Sequence, residues 1–192
     1  MEDKISGIIQ ASIAVNQLVL DDRELIGRVA KVTDSVCKTF KTGHKVMFCG
    51  NGGSAADAQH LAAELSGRFY ADRDPLPAEA LHCNTSYLTA VANDYGFEQV
   101  YSRLLKGMGK PGDILLALST SGQSANILEA LRTARKMGIT TVGMTGKSGG
   151  QMKPLCDYLL NIPSTDTPRI QESHILIGHI ICQLVEAQLF PA

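Results

Sequence analysis

The chain has 192 residues, of which 44% are hydrophobic and 19% charged, and a formal net charge of −1. That length suits one compact domain with its own core and is too short for two full ones. The near-neutral charge leaves no footprint for nucleic acid or for an anionic membrane surface.

The opening segment from Met1 to Gly7 has no basic stretch leading into an apolar run, so no secretory signal is expected. Residues 1–42 read as two helices. In the second, Leu25, Val29, Val32, Val36 and Phe40 recur at steps of three and four and form one apolar stripe, with Gly43 placed to cap its end. The first helix carries Ile5, Ile8, Ile9 and Ile13. Their face either packs against another subunit or folds back on its own domain.

From residue 44 the rhythm changes. Short apolar runs at 45–50, 113–118, 140–145 and 158–162, with a weaker one at 78–81, alternate with helical patterns such as the one from Ala125 to Met137, stopped by Gly138. Continuous apolar strands alternating with helices predict a parallel sheet covered on both faces. Such a sheet binds ligands at the carboxyl ends of its strands. Residues 72–77 read as a surface loop. No apolar stretch approaches the ~20 residues needed to cross a bilayer. Five cysteines (Cys37, Cys49, Cys83, Cys156, Cys182) without C-x-x-C spacing fit reduced, mostly buried thiols. The expected location is cytoplasmic.

Two strand-to-helix turns echo each other: Gly52-Gly53-Ser54-Ala55 and Gly122-Gln123-Ser124-Ala125. In the second, Ser119, Thr120, Ser121 and Ser124 bring four hydroxyls to a helix start, where unpaired N–H groups and the helix dipole favour a phosphate. One capping serine would need no ligand to explain it; four hydroxyls in six residues exceed capping. No Gly-Lys-Ser/Thr follows, which disfavours nucleoside triphosphate hydrolysis. The loop Asn51-Gly52-Gly53 lets backbone approach a ligand, but any tight turn would use the same residues.

His60 and Glu64, four residues apart, share one helix face, and apolar neighbours (Leu61, Ala62, Ala63, Leu65) set them apart from an ordinary surface pair. A metal needs more ligands than these two supply. Gln171 and His179 lie on another helix, about 12 Å apart along its axis, and could add an amide oxygen and an imidazole. His179 alone could equally be a core histidine. The four groups together can hold a divalent metal or move a proton. Asn93-Asp94 is either a turn or a carboxylate and amide at a site mouth.

Several segments taken together resemble the sugar isomerase (SIS) family of phosphosugar-binding domains, and within it the phosphoheptose isomerases. The carriers are the run from Cys49 to His60, Ala63 to Phe69, Ala92 to Phe97, Ser119 to Ser124, and Arg169 to His179. The resemblance spans essentially the whole chain. It implies a flavodoxin-like three-layer α/β sandwich with a central parallel sheet, preceded by N-terminal helices. Residues 1–42 would serve oligomerisation, and 43–192 would form the phosphosugar-binding domain. It further implies a homotetramer and one zinc per subunit held by His60, Glu64, Gln171 and His179. Sugar-phosphate contacts would come from Asn51, Gly52, Gly53, Glu64, Asn93, Asp94, Ser119, Thr120, Ser121, Ser124 and Gln171. The expected chemistry is aldose–ketose isomerisation, with Glu64 as base and His179 as acid. Gln123 stands where many members have Asn. A non-catalytic relative, the bacterial DnaA initiator-associating protein, is also similar from end to end, including the terminal run from Gln188 to Pro191. It lacks counterparts of Glu64 and His179, so the enzyme is the expected reading.

Overall fold

A computed structural model describes residues 1–191. Two helices open the chain, α1 (Glu2–Asp21) and α2 (Arg23–Lys41). Asp22 separates them and caps α2, accepting the Leu25 N–H at 2.8 Å, the expected service of a short carboxylate at a helix start. The strands are β1 (Val46–Cys49), β2 (Ala78–Ala80), β3 (Ile114–Leu118), β4 (Thr140–Thr145) and β5 (Tyr158–Asn161). Between and after them come α3 (Gly53–Ser66), α4 (Thr85–Tyr95), α5 (Val100–Met108), α6 (Ala125–Lys136) and α7 (Thr167–Leu189). Short 3-10 turns occupy Phe97–Gln99 and Gly150–Leu155.

The five strands are all parallel in the order β2-β1-β3-β4-β5. This is the doubly wound, flavodoxin-like order, whose ligand crevice opens at the carboxyl ends beside the point where strand order reverses. Alternation along β1 shows why the central strands β1 and β3 are apolar on both faces. Val46 and Phe48 enter one core with Leu25, Val32, Leu61, Ile177 and Val185. Met47 and Cys49 enter another with Tyr101, Leu105, Ile127 and Leu131. The first layer is thus α1, α2, α3 and α7; the second is α4, α5 and α6.

All five expected strands are present, and Gly43 and Gly138 stand just past the ends of α2 and α6. Two features differ from expectation. Helix α5 has no counterpart among the expected elements, because nine residues give too short a stretch for its helical period to stand out. Residues 72–77 are not simply a surface loop: Leu76 is buried, and the Arg73 side chain is 2% exposed against Glu186. Three charges in a row look solvated until a buried partner from a distant helix is supplied.

The isoleucine face of α1 does not fold back. Ile5, Ile8, Ile9 and Ile13 are 50% to 61% exposed in the single chain. All five cysteines are free, with Cys37, Cys49 and Cys182 buried.

Candidate active site

Strand β1 delivers the chain into Asn51-Gly52-Gly53 and then α3; strand β3 delivers it into Ser119-Thr120-Ser121-Gly122 and then α6. The echo noted in sequence is structural. Gly52 (φ +56) and Gly122 (φ +65) both take a left-handed conformation that side chains resist, turning each strand sharply into its helix. The two turns form facing walls of one cavity of about 350 Å³. Thr167 and Gln171, from the first turn and a half of α7, close a third side. A Cβ on Gly53 would come within 2.6 Å of the Gln171 amide nitrogen, so glycine there lets Gln171 reach over the loop.

The serine wall is not consumed by capping. Ser124 is the N-cap of α6, yet its side chain makes no capping bond. Its hydroxyl instead meets that of Ser119 at 3.1 Å, while Ser121 accepts the Gln123 N–H at 3.2 Å. Hydroxyls and helix-start N–H groups without any cation suit a phosphate held by neutral donors. The walls are tied together. The Asn51 amide donates to Asn126 Oδ1 (2.9 Å) and accepts from Asn126 Nδ2 (2.8 Å). Asn126 was no sequence candidate, although it follows the serine turn directly. This pairing leaves Asn51 one amide hydrogen and one lone pair for a ligand.

His60 and Glu64 project from α3, with His60 Nε2 3.3 Å from Glu64 Oε1. His179, from α7, brings its Nε2 to 2.9 Å from that of His60. Gly178 makes this meeting possible, because a Cβ there would lie 2.5 Å from the Leu61 methyls. Without a side chain at 178, α3 and α7 close until two histidines 119 positions apart touch. The Phe69 ring leans on His179 with centroids 5.6 Å apart. His179 is therefore no core histidine; its fully buried neighbour His174 is. Burial pushes the His174 pKa down from 6.5 to about 4, against the opposing effect of the Thr145 carbonyl it faces at 3.2 Å.

Donor atoms of His60, Glu64 and His179 all lie within 4.8 Å of one another. Tetrahedral zinc with bonds near 2.0–2.2 Å sets neighbouring ligand atoms roughly 3.3 Å apart, and 2.9 and 3.3 Å approach that spacing. Two neutral imidazoles and one carboxylate are also a donor set zinc accepts, so the residues fit such an ion.

Asn93 and Asp94 sit on the last turn of α4, exposed and bonded to each other at 2.9 Å. They do not line the cavity within one chain.

Residues 14–146 match the SIS domain family model. The phosphoheptose isomerase of Aneurinibacillus thermoaerophilus is 50% identical over 99% of this chain and 96% of its own length. That of Mycobacterium bovis (strain BCG / Pasteur 1173P2) is 52% identical over 95% and 93%. Among solved structures, phosphoheptose isomerase GmhA from Neisseria gonorrhoeae superposes with a TM-score of 0.91 at 37% identity, covering 97% of this chain and 98% of that one. With its five-stranded parallel sheet and paired strand-to-helix turns, the chain belongs to the SIS domain family, among its phosphoheptose isomerases.

Proposed function

We propose that the chain interconverts D-sedoheptulose 7-phosphate and D-glycero-D-manno-heptose 7-phosphate, an aldose–ketose isomerisation that supplies ADP-heptose and lipopolysaccharide core synthesis. The observation that carries the reading is the convergence of His60, Glu64 and His179. A binding module of the initiator-associating kind has no use for such a trio. Along α7, Gln171 at the cavity and His179 at the trio are separated by about 12 Å, a span that a seven-carbon chain ending in a phosphate can bridge.

The phosphate binds between the two turns, held by Ser119, Thr120, Ser121, Ser124 and the N–H groups of Gly52 and Gly53. Asn51 and Gln171 contact the sugar. Asn93 and Asp94 depend on assembly for their contact, since within one chain they lie outside the cavity. Binding energy collected at the phosphate is remote from the bonds that change and serves to orient C1 and C2. Glu64 takes the proton from C1 of the ketose and returns it to C2, through a cis-enediol. His179 gives a proton to O2 and receives the one leaving O1, so that charge balances at the end of the turnover. His60, Glu64 and His179 would hold one zinc per subunit, joined by Gln171 once its side chain leans from the cavity along α7 towards them, and when bound the ion would stabilise negative charge on the substrate oxygens.

Residues 1–42 act in assembly, and residues 43–192 form the phosphosugar-binding domain of a homotetramer working in the cytoplasm. The exposed isoleucines of α1 support this, because a contiguous apolar face usually marks an interface. No helix among the described residues is long and apolar enough to cross a membrane. Ile5→Glu combined with Ile9→Glu should yield smaller species with depressed turnover; light scattering that finds a fully active monomer would refute the interface. The reading as a whole is tested by incubating purified protein with sedoheptulose 7-phosphate. Formation of the aldose is expected, and no turnover in metal-replete protein would overturn it.

A further inference from the structure

The connection from α3 to β2 is held by one buried ion pair. Glu186, on α7, accepts the backbone N–H groups of Phe69 (3.0 Å), Tyr70 (2.8 Å) and Ala71 (2.8 Å), and the Nε–H of Arg73 (3.1 Å). Arg73 directs its remaining donors at the end of α3. Nη2 donates to the Glu64 carbonyl at 2.9 Å, and Nη1 to those of Leu65 (2.8 Å) and Gly67 (3.0 Å), and to Asp74 (3.0 Å) in its own loop. The two side chains are 2% and 6% exposed.

Such a pair is weak evidence for stability, because desolvating two charges offsets most of their attraction. What distinguishes it is the set of segments it joins. A cation set against the last carbonyls of α3 completes that helix end, and one of those carbonyls belongs to Glu64 itself. Glu186 stands seven residues beyond His179, two turns along the same face of α7. The loop whose N–H groups it holds carries Phe69, the ring that leans on His179. One ion pair therefore links the helix bearing Glu64, the helix bearing His179, and the ring packed against that imidazole.

We propose that Arg73 and Glu186 are positioning residues that hold Glu64 and His179 at their working separation. Neither belongs to the cavity, and neither touches substrate. The inference rests on the isomerase reading of the trio.

The test compares Arg73→Lys, which keeps the charge but loses the fork, and Glu186→Gln, which keeps the shape but loses the charge, with the wild-type chain. Four quantities are measured: kcat, KM, inhibition by inorganic phosphate, and zinc affinity by competition with a chromophoric chelator. Circular dichroism verifies folding at the assay temperature. Removing groups that orient a metal or catalytic site typically costs roughly 10- to 100-fold in activity or metal affinity. A fall of that size is expected in kcat and zinc affinity, with KM and phosphate inhibition unchanged because the cavity walls are not disturbed. Folded variants with wild-type kcat and zinc affinity would overturn the proposal. So would a rise in KM and a loss of phosphate inhibition matching the fall in kcat, which would indicate general loosening. If Arg73→Lys does not fold, Glu186→Gln decides; if neither folds, the pair serves stability alone and the proposal fails. A wild-type chain that does not isomerise the ketose, while the variants lose zinc, would refute the isomerase reading and leave the positioning role standing.

Discussion

The cavity between the two glycine turns and the His60–Glu64–His179 trio are neighbours built on different principles. The cavity is made chiefly by two turns, each continuous in sequence, whose donors are backbone N–H groups and short hydroxyls fixed once the strand and helix on either side form; α7 adds only Thr167 and Gln171 at one side. The trio is made by long side chains from two helices whose meeting depends on tertiary packing, with Gly178 against Leu61 setting the approach. The first should tolerate small shifts between α3 and α7; the second should not. Binding and chemistry are thereby assigned to parts of the molecule that can be perturbed separately.

The largest separation should come from Glu64→Gln. Loss of a general base costs about 10²- to 10⁴-fold, so kcat should fall by that range while the phosphate end still binds. Near-wild-type turnover would sink the assignment of the base. The reciprocal change is Ser119→Ala with Ser124→Ala. Each lost hydrogen bond to phosphate should cost roughly 1–3 kcal/mol, appearing in KM with kcat largely kept. An unchanged KM would mean that the phosphate binds elsewhere.

Gly178→Val probes the packing on which the trio depends. A side chain there must displace Leu61, at about 1–3 kcal/mol in stability, and should push His179 away from His60. Thermal melts and steady-state kinetics should show a lower Tm and a lower kcat, with phosphate inhibition preserved. Equal damage to phosphate binding would erase the distinction between the two regions.

The smallest effect concerns stability against pH. His174 is fully buried, and its pKa is depressed from 6.5 to about 4. Between those values the unfolded chain binds a proton that the folded chain refuses, so stability falls as pH drops from 6.5 towards 4, by roughly 3 kcal/mol in all. Glu186 adds to the loss at lower pH. Burial raises its pKa, but the N–H groups of Ala71, Tyr70 and Phe69 together with Arg73 outweigh burial and lower it. A carboxylate of that kind contributes stability that disappears on acidification through its folded pKa. His174→Gln should flatten the decline above pH 4 in denaturant titrations; an unaltered slope would assign it to other groups.

What could be read from the sequence follows the same division. The serine turn was legible because hydroxyl density, a glycine and a following helix are all local, and the strands because apolar runs alternate with helical periods. His60 and Glu64 were legible as one helix face. Their meeting with His179 is expected from the matching donor types and from the resemblance, but not from either helix alone, since nothing near residue 178 announces that a glycine there packs against Leu61. Arg73 in Asp72-Arg73-Asp74 resembled a solvated loop because its partner lies 113 residues away. The Asn51–Asn126 tie was missed for the same reason: a reciprocal amide pair has no signature in either segment alone. The exposure of the α1 isoleucines was anticipated only as one of two alternatives.

The central claim is that Glu64 carries a proton between C1 and C2 at a site where the cavity holds the phosphate. Turnover of sedoheptulose 7-phosphate in deuterium oxide, followed by NMR of the aldose, tests it most directly. A base that exchanges its proton with solvent places deuterium at C2 of the product in the wild-type chain, and Glu64→Gln forms no labelled aldose. Product formed at the wild-type rate by Glu64→Gln would contradict the account, whereas wild-type aldose without deuterium at C2 would show the C1 proton itself carried across by a base shielded from solvent.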